Sequence, residues 1–231
     1  MENQKENKKE IRSLPDELAE VRIVGDSRNV EGYGIVFNRK SQDLGGFKEV
    51  IKPEAVDGVI EKSDILCLLN HSRERGVLAR STNGKGTLKI DVDQKGVRYA
   101  FEAPKFPLGD EVLEGVKRKD IKGSSFAFWV AEGGDAWDKQ PDGSYLRTIN
   151  RFEELFDISP VYTGAYKDAS VALRSLEQAK AKEEKEEIRE PDEETEAKPV
   201  VEETTEPIVK DKPSRAERYI KQLNKSINQK F

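Results

Sequence analysis

The chain has 231 residues, 37% charged and 35% hydrophobic, with 40 Lys and Arg against 45 Asp and Glu, a net charge of −5. No apolar run approaches the roughly 18 residues of a membrane helix, and the opening MENQKENKKE lacks a signal peptide's apolar stretch, so a soluble, non-secreted chain with no membrane partner is expected. One Cys excludes an internal disulfide framework, and one His beside it argues against a zinc site, so no metal or other cofactor is expected.

The average charge hides a split. Residues 177–211 hold 14 acids and 6 bases, net −8, and residues 212–231 hold 6 bases and one acid, net +5. The remainder carries an ordinary balance. Its bases are not segregated, which gives no support for nucleic acid as a partner.

In chain order, residues 1–18 are polar and charge-dense and read as a mobile N-terminal arm. Val21, Ile23 and Val24 open a β-rich region. Glu31–Asn38 (EGYGIVFN) reads as a strand whose two glycines allow a bend or bulge. Phe47–Ile51 reads as a strand, and Pro53 suits the first turn of a short helix over Glu54–Glu61. Asp64–Asn70 (DILCLLN) is a short apolar run of the kind a buried strand shows. Gly86–Val92 and Gly96–Glu102 alternate around a turn at Asp93–Gly96. Asp110–Lys119 places Val112, Leu113 and Val116 on one helical face, with acids first and bases last. Ser124–Val130 and Tyr145–Ile158 read as strands around a loop rich in Gly, Asp and Trp.

The compact part is expected to end near Leu176. Residues 177–213 form a charged acidic tether, helical over Gln178–Arg189 and disordered across Pro191–Pro213, where too little apolar surface offsets chain entropy. Residues 214–231 read as a basic amphipathic helix capped by Ser214, with Tyr219, Ile220, Leu223 and Ile227 at helical spacing. Tyr219, Leu223 and Ile227 are its candidate anchors for a partner surface.

Three segments carry candidate chemistry. His71, in LLNHSRERGVLARS, is the only histidine. Alone it reads as a surface residue in a polar loop, but a buried strand that ends in an imidazole is also how a sheet presents a base. In GSSFAF, strand alternation puts Phe126, Phe128 and Val130 on one face with Ser124, leaving Ser125 on the other. Both serines can merely satisfy a strand edge; a nucleophilic serine needs a base, for which His71 is the one natural candidate. The segment FEELFDISPVYTGAY offers Glu153, Glu154 and Asp157. Phe156 and Ile158 should face away from Asp157, leaving it free to orient a histidine. Cys67 lies four residues before His71, about 13 Å away on a strand, and so reads as an unreactive core residue.

These segments together resemble the prohead, or capsid maturation, proteases of tailed bacteriophages, distant relatives of the herpesvirus assemblins. The resemblance is carried by EGYGIVFN, DLGGFKEVIKPEAV, LCLLNHSRERGVLARS, IKGSSFAF and LFDISPVYTGAYKDASVALRS, in order from about Val21 to Leu176. It implies a protease domain over residues 19–176, a mainly β fold with a few helices built as a β-barrel of the herpesvirus-protease type, and an appended disordered acidic C-terminal tail. It also implies Ser125 as nucleophile, His71 as general base and Asp157 as the acidic third member. The sequence departs from the family at Ser124 (usually Met), Ala127 (usually Gly), Gly164 and Lys167 (usually Pro) and Asp157 (often Glu). With one histidine per chain, a herpesvirus-type second histidine cannot be built within a subunit, which leaves a carboxylate orienter or a bare Ser–His pair. The implied reaction is peptide-bond hydrolysis through an acyl-enzyme, with backbone amides holding the oxyanion.

The implied setting is the host cytoplasm, inside the assembling prohead. The implied substrates are the scaffolding part of the major capsid protein and the protease itself, with the inner capsid surface as a partner of the terminal helix and a homodimer as a possible assembly. The competing reading is a non-enzymatic scaffolding factor that keeps the same barrel and tail.

Overall fold

The computed structural model describes residues 9–162, Leu173 and residues 175–181. The chain divides into two compact units, residues 1–190 and 191–231, and every described residue belongs to the first. The expected tether beyond residue 181 and the terminal helix with Tyr219, Leu223 and Ile227 lie outside the described residues.

In chain order the elements are β1 (Glu10–Leu14), the single-turn helix α1 (Asp16–Ala19), β2 (Arg22–Ile23), β3 (Asn29–Val36), β4 (Phe47–Ile51), β5 (Asp64–Cys67), β6 (Ala79–Thr82), β7 (Lys85–Gly86), β8 (Lys89–Val92), β9 (Gly96–Glu102), the helix α2 (Pro107–Lys117), β10 (Gly123–Val130), β11 (Asp135–Lys139), β12 (Tyr145–Ile149) and β13 (Phe152–Val161). They form three sheets: β1-β10-β13-β5-β6-β7, β2-β3-β9-β8 and β11-β12-β4. The expectation of mainly β structure with a few helices holds, but the sheets do not join into a closed barrel. β1 and β7 end one sheet, and β2 and β8 end another, so hydrogen bonding never returns to its start.

The core lies between the strand faces that the alternation marks. Phe126 and Phe128 point inward with Ile35, Tyr99, Phe152 and Ile158, all buried. Phe128 sits 4.5 Å from Phe152 and 5.2 Å from Phe126 between ring centroids, within the separations aromatic pairs favour. Ser124, on this face, hydrogen-bonds the buried Tyr99 hydroxyl at 3.0 Å. A second cluster joins Leu44, Phe47, Tyr145 and Leu176 under Trp137, so residues 175–181, which are helical, still pack on the domain.

Gly34 in EGYGIVFN meets the bulge expectation: the pairing of β3 with β9 shifts between Tyr33 and Ile35. A Cβ there would come within 2.3 Å of Ile158 Cγ2, in a closed core. Gly34→Ala is expected to cost about 1–3 kcal/mol by overpacking, read from denaturant midpoints. An unchanged midpoint would mean that Ile158 swings aside freely.

Several elements differ from the sequence expectation. The helix after Pro53 is only a 3-10 turn, Pro53–Val56, because Gly58 turns the chain left-handed at φ +67. The run Asp64–Asn70 pairs as a strand only to Cys67, although Leu68 and Leu69 stay buried. The span Tyr145–Ile158 is two strands in two sheets. Between them Asn150 and Arg151 donate backbone N–H groups to the Gly134 carbonyl at 2.7 and 3.0 Å. The loop before it contains β11, held by Trp137 edge-on to Phe47 at 5.0 Å.

The mobile-arm reading of residues 1–18 is corrected over its second half, since Glu10–Leu14 pair along β10. The physical reason is charge pairing. Glu10 and Arg12 look solvated in the sequence, yet they are 5% and 7% exposed. Arg12 spans Glu49 at 2.9–3.0 Å and Glu10 at 2.6 Å, while Arg147 bonds Glu10 at 2.7 and 3.0 Å, Glu49 at 3.1 Å and Asp135 at 2.7 Å. Burial alone would raise the Glu10 carboxyl, but Arg147 and Arg12 hold it below its ordinary value. Arg147→Ala leaves the buried carboxylates of Glu10 and Glu49 to share the single Arg12 guanidinium, one buried negative charge in excess, and is expected to cost about 3–5 kcal/mol. In a domain of this size that is a fall of roughly 10 °C in thermal midpoint. A shift under a degree or two would mean that water replaces the guanidinium.

Candidate active site

Three neighbouring strands of the six-stranded sheet place the site. β10 and β13 are antiparallel, with Ser125 opposite Ser159 and Ala127 opposite Asp157. β13 and β5 are parallel, with Asp157 opposite Leu66. Past the end of β5 the chain turns sharply over Leu69–Ser72. Ser72 N–H donates to the Leu69 carbonyl at 3.1 Å, and the two central residues, Asn70 and His71, are left-handed at φ +52 and +58. Asn and His tolerate this region better than most residues. Asn70 also fixes the turn to β13: its N–H donates to the Pro160 carbonyl at 3.2 Å, and its side-chain oxygen accepts from Tyr162 N–H at 3.1 Å.

The turn carries His71 back over the sheet. Its Nδ1 lies 2.5 Å from Asp157 Oδ1 and its Nε2 lies 2.6 Å from Ser125 Oγ. All three sequence candidates therefore meet in one chain of hydrogen bonds. A carboxylate on Nδ1 fixes the proton there, leaving Nε2 as an acceptor for a hydroxyl proton. Ser124 is turned into the core, as alternation requires. Glu153 is exposed and Glu154 half-exposed, and it is Asp157 that faces the imidazole.

Asp157 reaches that face through an irregularity the sequence does not announce. Pairing shifts so that Ala127 is opposite Asp157 while Phe128 is opposite Leu155, leaving Phe156 as an extra residue. Two residues apart on a regular strand would share a face. The bulge instead lets Leu155 enter the core and Asp157 face His71. Phe156 does not face away as alternation predicts. It packs on Trp129 at 4.8 Å, with Lys9 Nζ 5.3 Å from its ring centre and 3.3 Å from Asp157 Oδ2.

Asp157 is 1% exposed. Burial pushes its carboxyl up, but the His71 hydrogen bond and charge, Lys9 and the Ser159 hydroxyl (3.0 Å) outweigh this and hold it below its ordinary value. Ser159 in turn accepts Leu68 N–H at 3.2 Å, tying the carboxylate's support to β5. Cys67 is fully buried, and burial first, then the Asp157 charge, pushes its thiol well up, as its reading as an inert core residue requires. Sequence reasoning missed Ser159, Lys9 and the strand β1. The only signal for Ser159 was its place two residues after Asp157.

Among the described residues no helix is long and apolar enough to cross a membrane. Comparison with known proteins finds that the sequence model of the caudovirus prohead serine proteases matches residues 17–184. A similar solved structure is the capsid assembly protease of bacteriophage T4, 15% identical, with 67% of this chain and 96% of that chain covered at a TM-score of 0.41. No curated protein matches. A family match over more than half of the sequence, joined to this arrangement of serine, histidine and aspartate, is decisive: the chain belongs to the caudovirus prohead serine protease family.

Proposed function

We propose that the chain is a working serine endopeptidase of capsid maturation, with Ser125 as nucleophile, His71 as general base and acid, and Asp157 as the group that orients and stabilises the imidazole. The observation that carries this reading is the unbroken contact Ser125 Oγ to His71 Nε2 at 2.6 Å and His71 Nδ1 to Asp157 Oδ1 at 2.5 Å. Ser125 Oγ attacks the scissile carbonyl carbon as its proton passes to Nε2. The imidazolium, stabilised by the Asp157 carboxylate, gives that proton to the departing amine as the C–N bond breaks. Water then attacks the ester, delivering one proton to Nε2, and Ser125 recovers it as the acid product leaves.

The substrates that fit are the family's: the scaffolding part of the major capsid protein and the chain itself, cleaved inside the assembling shell. Intact-mass spectrometry of freshly purified protein tests both activity and self-cleavage. The wild type is expected to show fragments below 26.1 kDa that Ser125→Ala lacks. Identical fragments from both proteins would remove Ser125 from its role. Fragments from neither, even with capsid protein added, would favour the non-enzymatic scaffold.

A further inference from the structure

His71 stands on a stretch that is neither helix nor strand, from Leu68, just past β5, to Leu78, just before β6. An imidazole that must meet Asp157 on one nitrogen and Ser125 on the other has to be held to within about 0.5 Å, so what fixes this stretch matters to the reaction. Its first half is tied to β13: Leu68 N–H donates to Ser159 Oγ, and Asn70 bonds Pro160 and Tyr162. Its second half is different. Ser72 N–H and Gly76 N–H donate to carbonyls within the loop, those of Leu69 and Arg73. Among the described residues, the hydrogen bond that leaves residues 73–77 for another element is that of the Arg75 guanidinium to Glu111 on α2. Gly76 also comes up against α2, where an added Cβ would lie 3.7 Å from Leu108 Cδ2.

Glu111 uses both of its oxygens. Oε2 accepts from Arg75, and Oε1 accepts from the Tyr162 hydroxyl. Tyr162 directly follows β13, and its own N–H is the donor to the Asn70 side chain. The bonds therefore close a circuit. It runs from Asn70 to Tyr162 N–H, along the Tyr162 side chain to Glu111, across to Arg75, and back along the chain through His71. The Arg75 hydrogen bond, then that of Tyr162, hold the Glu111 carboxyl below its ordinary value, so it stays ionised with both partners at neutral pH. The Arg75 and Glu111 side chains are 39% and 38% exposed, and an ion pair so open to water adds little to overall stability. Its consequence is positional, because it anchors the loop four residues after the base.

We propose that Glu111 is a positioning residue for His71: by joining Arg75 to Tyr162 it closes the loop that keeps the imidazole between Asp157 and Ser125. α2, which contributes no side chain to the triad, thereby takes part in aligning it. This inference rests on the peptidase reading of the same site.

Charge reversal on the full chain tests it. Arg75→Glu and Glu111→Arg are made singly and together. Each single variant sets like charges against each other, and the double variant restores an opposite pair with the signs exchanged. One readout is steady-state hydrolysis of a peptide spanning a mapped self-cleavage site. The other is the proton resonance of His71 Nδ1–H, recorded in a Ser125→Ala background so that the sample does not consume itself. A proton shared with a carboxylate resonates far downfield, and with one histidine in the chain, labelling of the ring identifies it. Each single reversal is expected to broaden that resonance and to lower kcat about three- to tenfold with KM within about twofold, since a displaced base loses turnover rather than affinity. The double reversal is expected to recover the sharp resonance and about half of the wild-type kcat or more. Tyr162→Phe guards against a swap that repacks badly; it removes one hydroxyl and no charge, and is expected to lower kcat about two- to threefold.

Single reversals with wild-type kcat and resonance overturn the proposal even if their thermal midpoints fall, for the pair is then a structural tie alone. A double variant no better than either single one, beside a Tyr162→Phe protein of wild-type kcat, overturns it too. A wild type that hydrolyses nothing withdraws the peptidase reading and leaves the resonance to decide. Its loss in the single variants and return in the double one supports the positioning role, and its persistence in all of them ends it.

Discussion

His71→Ala is expected to slow peptide hydrolysis by about 10⁴–10⁶-fold, while Ser124→Ala leaves it within a few-fold of wild type. The first figure corresponds to roughly 5–8 kcal/mol of transition-state stabilisation. The reason for its size is that in the proposed mechanism one ring does two jobs. Its Nε2, 2.6 Å from Ser125 Oγ, would take the hydroxyl proton and later return one to the leaving amine, and no other imidazole exists in the chain to substitute. Ser124 has a hydroxyl one residue away, but it faces the opposite side of β10 and is engaged by Tyr99. Steady-state hydrolysis of a peptide spanning a mapped self-cleavage site measures both variants side by side. If Ser124→Ala is the dead protein and Ser125→Ala the live one, the strand register in the site is wrong by one residue.

Asp157→Asn is expected to have the second largest effect, a loss of about 10³–10⁴-fold in turnover, smaller than that of His71→Ala. The carboxamide can still touch Nδ1, but it can also donate a proton, which favours the tautomer with Nε2–H and spoils the base. It also removes the charge that would stabilise the imidazolium in the proposed mechanism. The same substitution has a signature in stability against pH. The carboxyl is held below its ordinary value of 3.8, so the unfolded chain binds its proton first as pH falls. Its contribution is whole above the ordinary carboxylate range and is lost as the pH drops through the lowered folded value. The acid limb of a thermal-midpoint curve is therefore expected to be shallower in Asp157→Asn than in wild type. A full-strength acid limb with wild-type turnover would show that Asp157 merely neighbours the histidine.

The strands that sequence made legible are those whose apolar residues alternate toward a common core: β9 and β4 begin and end where the pattern says, and β10 does so to within a residue. The orientation of the two serines followed from the same alternation, because Phe126 and Phe128 must go inward. What stayed hidden depended on partners distant in sequence. β1 reads as an arm because Glu10 and Arg12 are polar, and only Glu49 and Arg147, far along the chain, make their burial affordable. The open sheet arrangement was likewise unreadable, since nothing local says whether the edge strands meet. The left-handed turn at Asn70 and His71 and the shift at Phe156 are single-residue backbone choices with no periodic signature.

That extra residue in β13 settles a question of parity. Were Phe156 deleted, Leu155 and Asp157 would be adjacent on a regular strand and would still point to opposite sides of the sheet, whereas straightening the irregularity with all three residues kept would carry the carboxylate to the greasy side or thrust Leu155 out into water. The stretch can therefore lose a single residue, and as long as that residue stays, the offset in pairing has to stay with it.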